Sequence, residues 1–130
     1  MTINHFEEVF IDKFVVKQIK DRLLYELSSV KYREKAIWRF SHGAENILKS
    51  SKIVFKGTSN NIPELILKYI TPEEGYFMSL GEEDGKIYDF DKAIQIIISA
   101  NMPIIYIMNE VVFIKEEQEK GSPICYLLKT

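Results

Sequence analysis

Fifteen residues from Pro103 to Glu117, PIIYIMNEVVFIKEE, constrain the fold more than any other stretch of the chain. Two runs of β-branched and aromatic residues flank Asn109 and Glu110, the pattern of a β-hairpin closed by a two-residue turn. Alternation along PIIYIMN puts Ile105 and Ile107 on one side and Ile104, Tyr106 and Met108 on the other. Both sides are apolar, so this strand belongs in the middle of a sheet.

The segments around it supply the rest of the sheet and its cover. From His5 to about Leu27, Phe6, Val9, Phe10, Val16, Ile19, Leu23 and Leu27 recur at helical spacing, which predicts one amphipathic helix with Phe14 and Val15 widening its apolar face. After Ser28 and Ser29 a second helical pattern starts near Lys31 and carries Ile37, Phe40, Ala44, Ile47 and Leu48, so an N-terminal α-hairpin is expected. Ile53 to Lys56 reads as a strand. Asn61, Pro63 and Glu64 read as the capped start of a third helix running to about Ile70. Tyr76 to Leu80 and Lys86 to Asp89 read as strands around the acidic loop GEEDG, and Asp89 or Asp91 caps a helix through Ala100. A last strand covers Ile124 to Leu128. The reading is a single α+β domain over residues 1–130, with a mixed, mainly antiparallel sheet, a C-terminal meander and helices packed on one face.

A chain of 130 residues buries enough surface to fold without a metal or a disulfide. Its single cysteine, Cys125, sits between Ile124 and Tyr126 and reads as a buried hydrophobe in a reducing compartment. No basic start followed by an apolar segment and no apolar run near twenty residues is present, so a cytoplasmic location without membrane contact is expected. Charge is polarised along the chain. Residues 1–70 hold twelve Lys and Arg against eight Asp and Glu, and residues 71–130 hold five against eleven. Such a field acts on the choice of partner and the rate of encounter.

No Gly-rich phosphate loop, metal-spaced Cys or His cluster, or serine elbow occurs, so no metal, cofactor or catalytic residue is assigned. Two surfaces stand out. The first is acidic, made of Glu82, Glu83 and Asp84 in the loop, Asp89 and Asp91 beside it, and Glu116, Glu117 and Glu119 before the last turn. The order of residues in GEEDGKIYDFD does not supply a calcium loop. The alternatives for this surface are a solvated hairpin tip with charges guarding a strand end, or a docking face for a basic protein. The second surface is basic and aromatic. Lys31, Lys35, Trp38 and His42 are spaced four, three and four on the predicted second helix, with Arg39 at the edge, a pattern that suits an anionic partner or nucleic acid if Trp38 is not turned into the core.

In size, acidity, lone cysteine, absence of catalytic residues and α+β pattern the whole chain resembles the immunity proteins that bacteria pair with secreted or contact-delivered toxins, many of them nucleases. That resemblance implies a non-catalytic antitoxin that occludes the active site of a cognate basic toxin by protein–protein contact. The segment RFSHGAEN from Arg39 to Asn46 also resembles, over two residues, the His-Gly segment of some ADP-ribosyltransferases, with no second catalytic signature after it. The alternative function is a nucleic-acid-associated protein or small enzyme working through Lys35, Trp38, Arg39 and His42. A homodimer paired through C-terminal edge strands is a third expectation.

Overall fold

The structure is a computed structural model that describes residues 4–118 and 121–130. Its centre is the predicted hairpin. Strands β1 (Ile53–Gly57), β2 (Gly75–Ser79), β3 (Ile87–Tyr88), β4 (Ile104–Ile107), β5 (Val111–Lys115) and β6 (Cys125–Lys129) form one sheet in the order β1-β6-β5-β4-β2-β3. Every pairing is antiparallel, and β4, β5 and β6 make the expected C-terminal meander; because the edges are β1 and β3, the expectation of a homodimer paired through C-terminal edge strands is corrected. The turn at Asn109 and Glu110 is steadied from outside: Glu73 Oε1 accepts the Asn109 N–H at 2.7 Å.

Helices α1 (His5–Phe14), α2 (Lys17–Ser28) and α3 (Arg33–Trp38) cover one face, and α4 (Ile62–Leu67) and α5 (Phe90–Ser99) cover the other. The expectation of helices on one face is therefore corrected, within an α+β class and antiparallel sheet that stand. The reason lies in the period of two along the strands. Met78, Ile105, Ile107, Val112, Ile114 and Leu128 point into the first core, while Phe77, Ile104, Tyr106, Val111, Phe113 and Leu127 point into the second. Leaving either set in water would forgo roughly 1.5–3 kcal/mol for each large side chain.

Local signals account for the start of α4 and α5. Asn61 caps α4 by accepting the Glu64 N–H at 3.1 Å, and Asp89 caps α5 by accepting the Lys92 N–H at 2.8 Å. The C-terminus of α5 is closed by an unusual partner: the amino group of Lys115, on β5, donates to the carbonyls of Ile97 at 2.8 Å and Ala100 at 2.9 Å. These bonds satisfy carbonyls that a helix end otherwise leaves open, and burial pushes the Lys115 amine below its ordinary value.

Two helical expectations are corrected. The single helix over His5 to Leu27 is broken at Val15 and Val16, where the backbone is extended. Val15 forms a β-bridge with Leu48, the Val16 N–H donates to the Ile47 carbonyl at 2.9 Å, and the Lys49 N–H donates to the Phe14 carbonyl at 2.7 Å. Two β-branched residues in succession suit that extended link. The second helix ends at Trp38, after which Phe40 and Ser41 donate to carbonyls three residues back and Gly43 takes a left-handed φ of 61°. His42 and Lys31 consequently lie outside the helix at its two ends, and of the expected stripe only Lys35 and Trp38 are helical.

The helical layer is tied to the sheet by a buried ionic cluster. Glu7 of α1, only 1% exposed, receives Arg33 of α3 in two bonds of 2.8 and 2.6 Å and also accepts from the Tyr76 hydroxyl on β2. The same guanidinium holds Asp84 at 2.8 and 3.0 Å. Replacing Arg33 with Met strands the Glu7 carboxylate. Arg33→Met should lower the urea-unfolding free energy by about 3 kcal/mol, and adding Glu7→Leu should recover part of the loss.

Candidate functional site

The acidic residues singled out in the sequence go to different tasks. Asp84 is held by Arg33 and also accepts the Ser79 N–H at 3.1 Å, which pins the acidic loop to the end of β2. Asp89 is the α5 cap. Glu116 is buried, with one oxygen accepting the Ala44 N–H and the Tyr126 hydroxyl, each at 2.9 Å. Burial, and then the bond to Glu116, hold the Tyr126 phenol above its ordinary value. Glu117 lies 3.1 Å from His42 Nε2, and its N–H donates to the Ser41 carbonyl. Glu119 lies outside the described residues. Glu82 and Asp91 are exposed and Glu83 is half-buried, its carboxylate lying against Gly81.

Strand direction sets where the remaining charges gather. Ser79 of β2 and Lys115 of β5 both align with Ile104 of β4, so the acidic loop and Glu116–Glu117 leave the same end of the sheet, two strands or about 10 Å apart. Asp89 and Asp91 follow β3 at the opposite end, beside Glu73 and Glu74, which precede β2. The acids therefore do not form one patch centred on the loop. They bracket the short outer strand β3. Over residues 71–91 the chain carries seven Asp and Glu and one Lys. Between the two acidic ends lie Ile87, 48% exposed, and Phe6, 40% exposed and stacked on Tyr76. A pocket of about 250 Å³ runs beneath them, lined by Glu73, Glu74, Ile107 and Met108 among others. An open sheet edge with an apolar centre and an acidic rim is a surface that recognises a basic segment of another protein.

The basic, aromatic surface is also present in altered form. A groove of about 520 Å³ between α2 and α3 is lined by Asp21, Arg22, Tyr25, Glu26, Tyr32 and Lys35. Tyr25, Tyr32 and Arg22 were not singled out in the sequence, although Arg22 and Tyr25 stand three apart on the polar side of α2, where the signal was available. Trp38 is 37% exposed, so its ring is only partly used in packing. Lys31 places its amine 5.3 Å from the centre of the Tyr32 ring. Arg39 turns inward instead. It grips Glu26 through two bonds of 2.8 Å, with Arg22 at 3.4 Å from the same carboxylate.

Neither surface, nor the vicinity of His42, gathers three or more His, Cys, Asp or Glu side chains able to hold a metal among the described residues. No helix there is long and apolar enough to cross a membrane. The thiol of Cys125 is buried, and burial pushes its pKa up to about 11, which removes the thiolate needed for nucleophilic work at neutral pH. Comparison with family models, curated proteins and solved structures finds no match to this chain. What the fold and the two surfaces define is a class: an α+β protein with an antiparallel sheet and surfaces of opposite charge.

The bond to Arg39, with help from charge and Arg22, keeps the Glu26 carboxyl below its ordinary value despite burial. A carboxyl lowered on folding stabilises the protein above the ordinary carboxylate value, and that contribution is lost as pH falls through the lower folded value. Glu26→Gln should accordingly cost roughly 1–3 kcal/mol at pH 7, a cost that shrinks as pH falls through the lowered folded value, read from urea melts across the acid range.

Proposed function

We propose that this protein is a non-catalytic binding protein of the immunity type, which neutralises a basic protein toxin, a nuclease among the candidates, by covering its active site. The reading places it in the bacterial cytoplasm, where the lone buried thiol needs no partner. The observation that carries it is the β3 edge, an open strand with exposed Ile87 and Phe6 at its centre and acidic side chains at both ends. A cationic active site evolved to hold nucleic acid would meet carboxylates there in place of phosphates, and an apolar centre supplies the desolvated contact that charge alone lacks.

This surface is broader than the acidic loop by itself. Asp84, Asp89 and Glu116 maintain the fold, so contact is expected mainly through Glu74, Glu82, Glu83 and Asp91, with Glu117 further along the same end as the loop. A nucleic-acid-associated role is the second reading, favoured by the partial exposure of Trp38 beside Lys35.

Copurification from the native host, or with the product of the adjacent reading frame, should bring down a basic protein. Replacing Glu74, Glu82 and Asp91 together by Lys should weaken that complex at least about tenfold, or 1.4 kcal/mol, and added salt should weaken the wild-type complex steeply. A complex indifferent to both changes would contradict the assignment.

A further inference from the structure

We infer that the groove between α2 and α3 binds a short single-stranded nucleic-acid segment, with bases stacked on Tyr25 and Tyr32 and on Trp38 one turn further along α3, and phosphates held by Lys31 and Lys35. This inference rests on the second, nucleic-acid reading above and deepens it; the site stands apart from the β3 edge and does not depend on the reading given to that edge.

The argument starts from side chains that the fold leaves uncovered. Tyr25 is 62% exposed although it lies on a helix that packs against two others. Tyr32, Lys35 and Trp38 follow one another at intervals of three, so they lie along one side of α3. At a rise of 1.5 Å per residue that row is about 9 Å long, enough for two or three nucleotides. Across the groove, Tyr25 presents a second ring from α2, beside Arg22, which is held by Glu26. Tyr25 and Tyr32 stand 6.0 Å apart with their planes inclined by 39°, forming a corner of two aromatic surfaces. Rings interleaved with cations along a groove are the chemistry that single strands use, since every base has a stacking face and every linkage a negative charge.

Charge favours the same occupant. Glu26, the carboxylate at the groove floor, is already matched by Arg39 and Arg22. Lys31 and Lys35 make no ion pair among the described residues, whereas Lys20 is taken by Asp12 and Arg33 by Glu7 and Asp84. Over residues 13–39 the chain carries eight Lys and Arg against three Asp and Glu. An acidic peptide would satisfy the cations but would not use the three rings. Asp21 is the opposing charge in the lining, and it supplies a signed test: removing it helps an anionic ligand and harms a cationic one.

Trp38, the only tryptophan, stands one turn of α3 beyond the lining residue Lys35, so its fluorescence reports on the site. Titration of the full chain with a short oligothymidylate should quench it saturably. With Lys31 and Lys35 engaged, affinity should fall roughly sevenfold between about 50 and 200 mM salt. Tyr25→Ala and Lys35→Glu, both at exposed positions, should each weaken binding at least fivefold, and Asp21→Asn should tighten it. Circular dichroism of each variant guards against misfolding as the cause. Absence of quenching, equal quenching by polyglutamate, or weaker binding by Asp21→Asn would each overturn the proposal, the second in favour of an acidic protein partner. The two surfaces are separable: Lys35→Glu should leave capture of a basic protein at the β3 edge unchanged, so failure of either leaves the other standing.

Discussion

The demand that β4 and β5 bury both faces governs the rest of this structure. Residues 104–108 and 111–116 are buried without interruption, and only two of them, Lys115 and Glu116, are charged. A strand of that kind cannot lie at an edge or float on a one-sided sheet without exposing large apolar side chains. It draws β2 to one side, β6 to the other, and helices above and below. The charged residues at its end are accommodated by bonds that also serve other elements: Lys115 closes α5, and Glu116 accepts from Ala44 and Tyr126. Burial therefore dictates the position of α5 and of the segment after α3 as much as it dictates the sheet.

That constraint was legible in the residues, and so were its local consequences. The turn at Asn109 and Glu110, the caps at Asn61 and Asp89, and the meander were all readable because each depends on neighbours within a few positions. The two-sided cover was readable as well, since the alternation of Ile105 and Ile107 against Ile104, Tyr106 and Met108 already implied apolar matter on both faces. An inference of one helical face overlooked it. The break at Val15 was different in kind. Helical spacing continues through it, and what holds the chain extended is pairing with Ile47, Leu48 and Lys49, more than thirty residues away. Tertiary contact overrides a propensity of a few tenths of a kcal/mol per residue.

Charge was legible only as a total. The sequence yields a basic first half and an acidic second half, but not which side chains remain for a partner after the fold has used its share. Arg33 spans the two halves, joining Glu7 from the first to Asp84 from the second. Asp84 consequently serves to fix the loop, and of the acidic residues expected at one surface those left exposed divide between the two ends of β3. On the basic side the loss is Arg39, drawn to Glu26, and the gain is two tyrosines that come into view only when α2 and α3 are set beside each other. A reading of one helix at a time has no means of finding a groove built from two.

Exposed tyrosine and tryptophan are not needed to hold α2 and α3 together, because Leu23, Leu27, Ala36 and Ile37 already fill that packing. A polar residue at Tyr25, which is 62% exposed, would leave most of that core in place. The apolar area left open at Tyr25 and Trp38 is stability unused by the isolated chain, at about 25 cal/mol for every Å² that a ligand could cover. The groove therefore has free energy to give to a ligand that the folded chain does not itself consume.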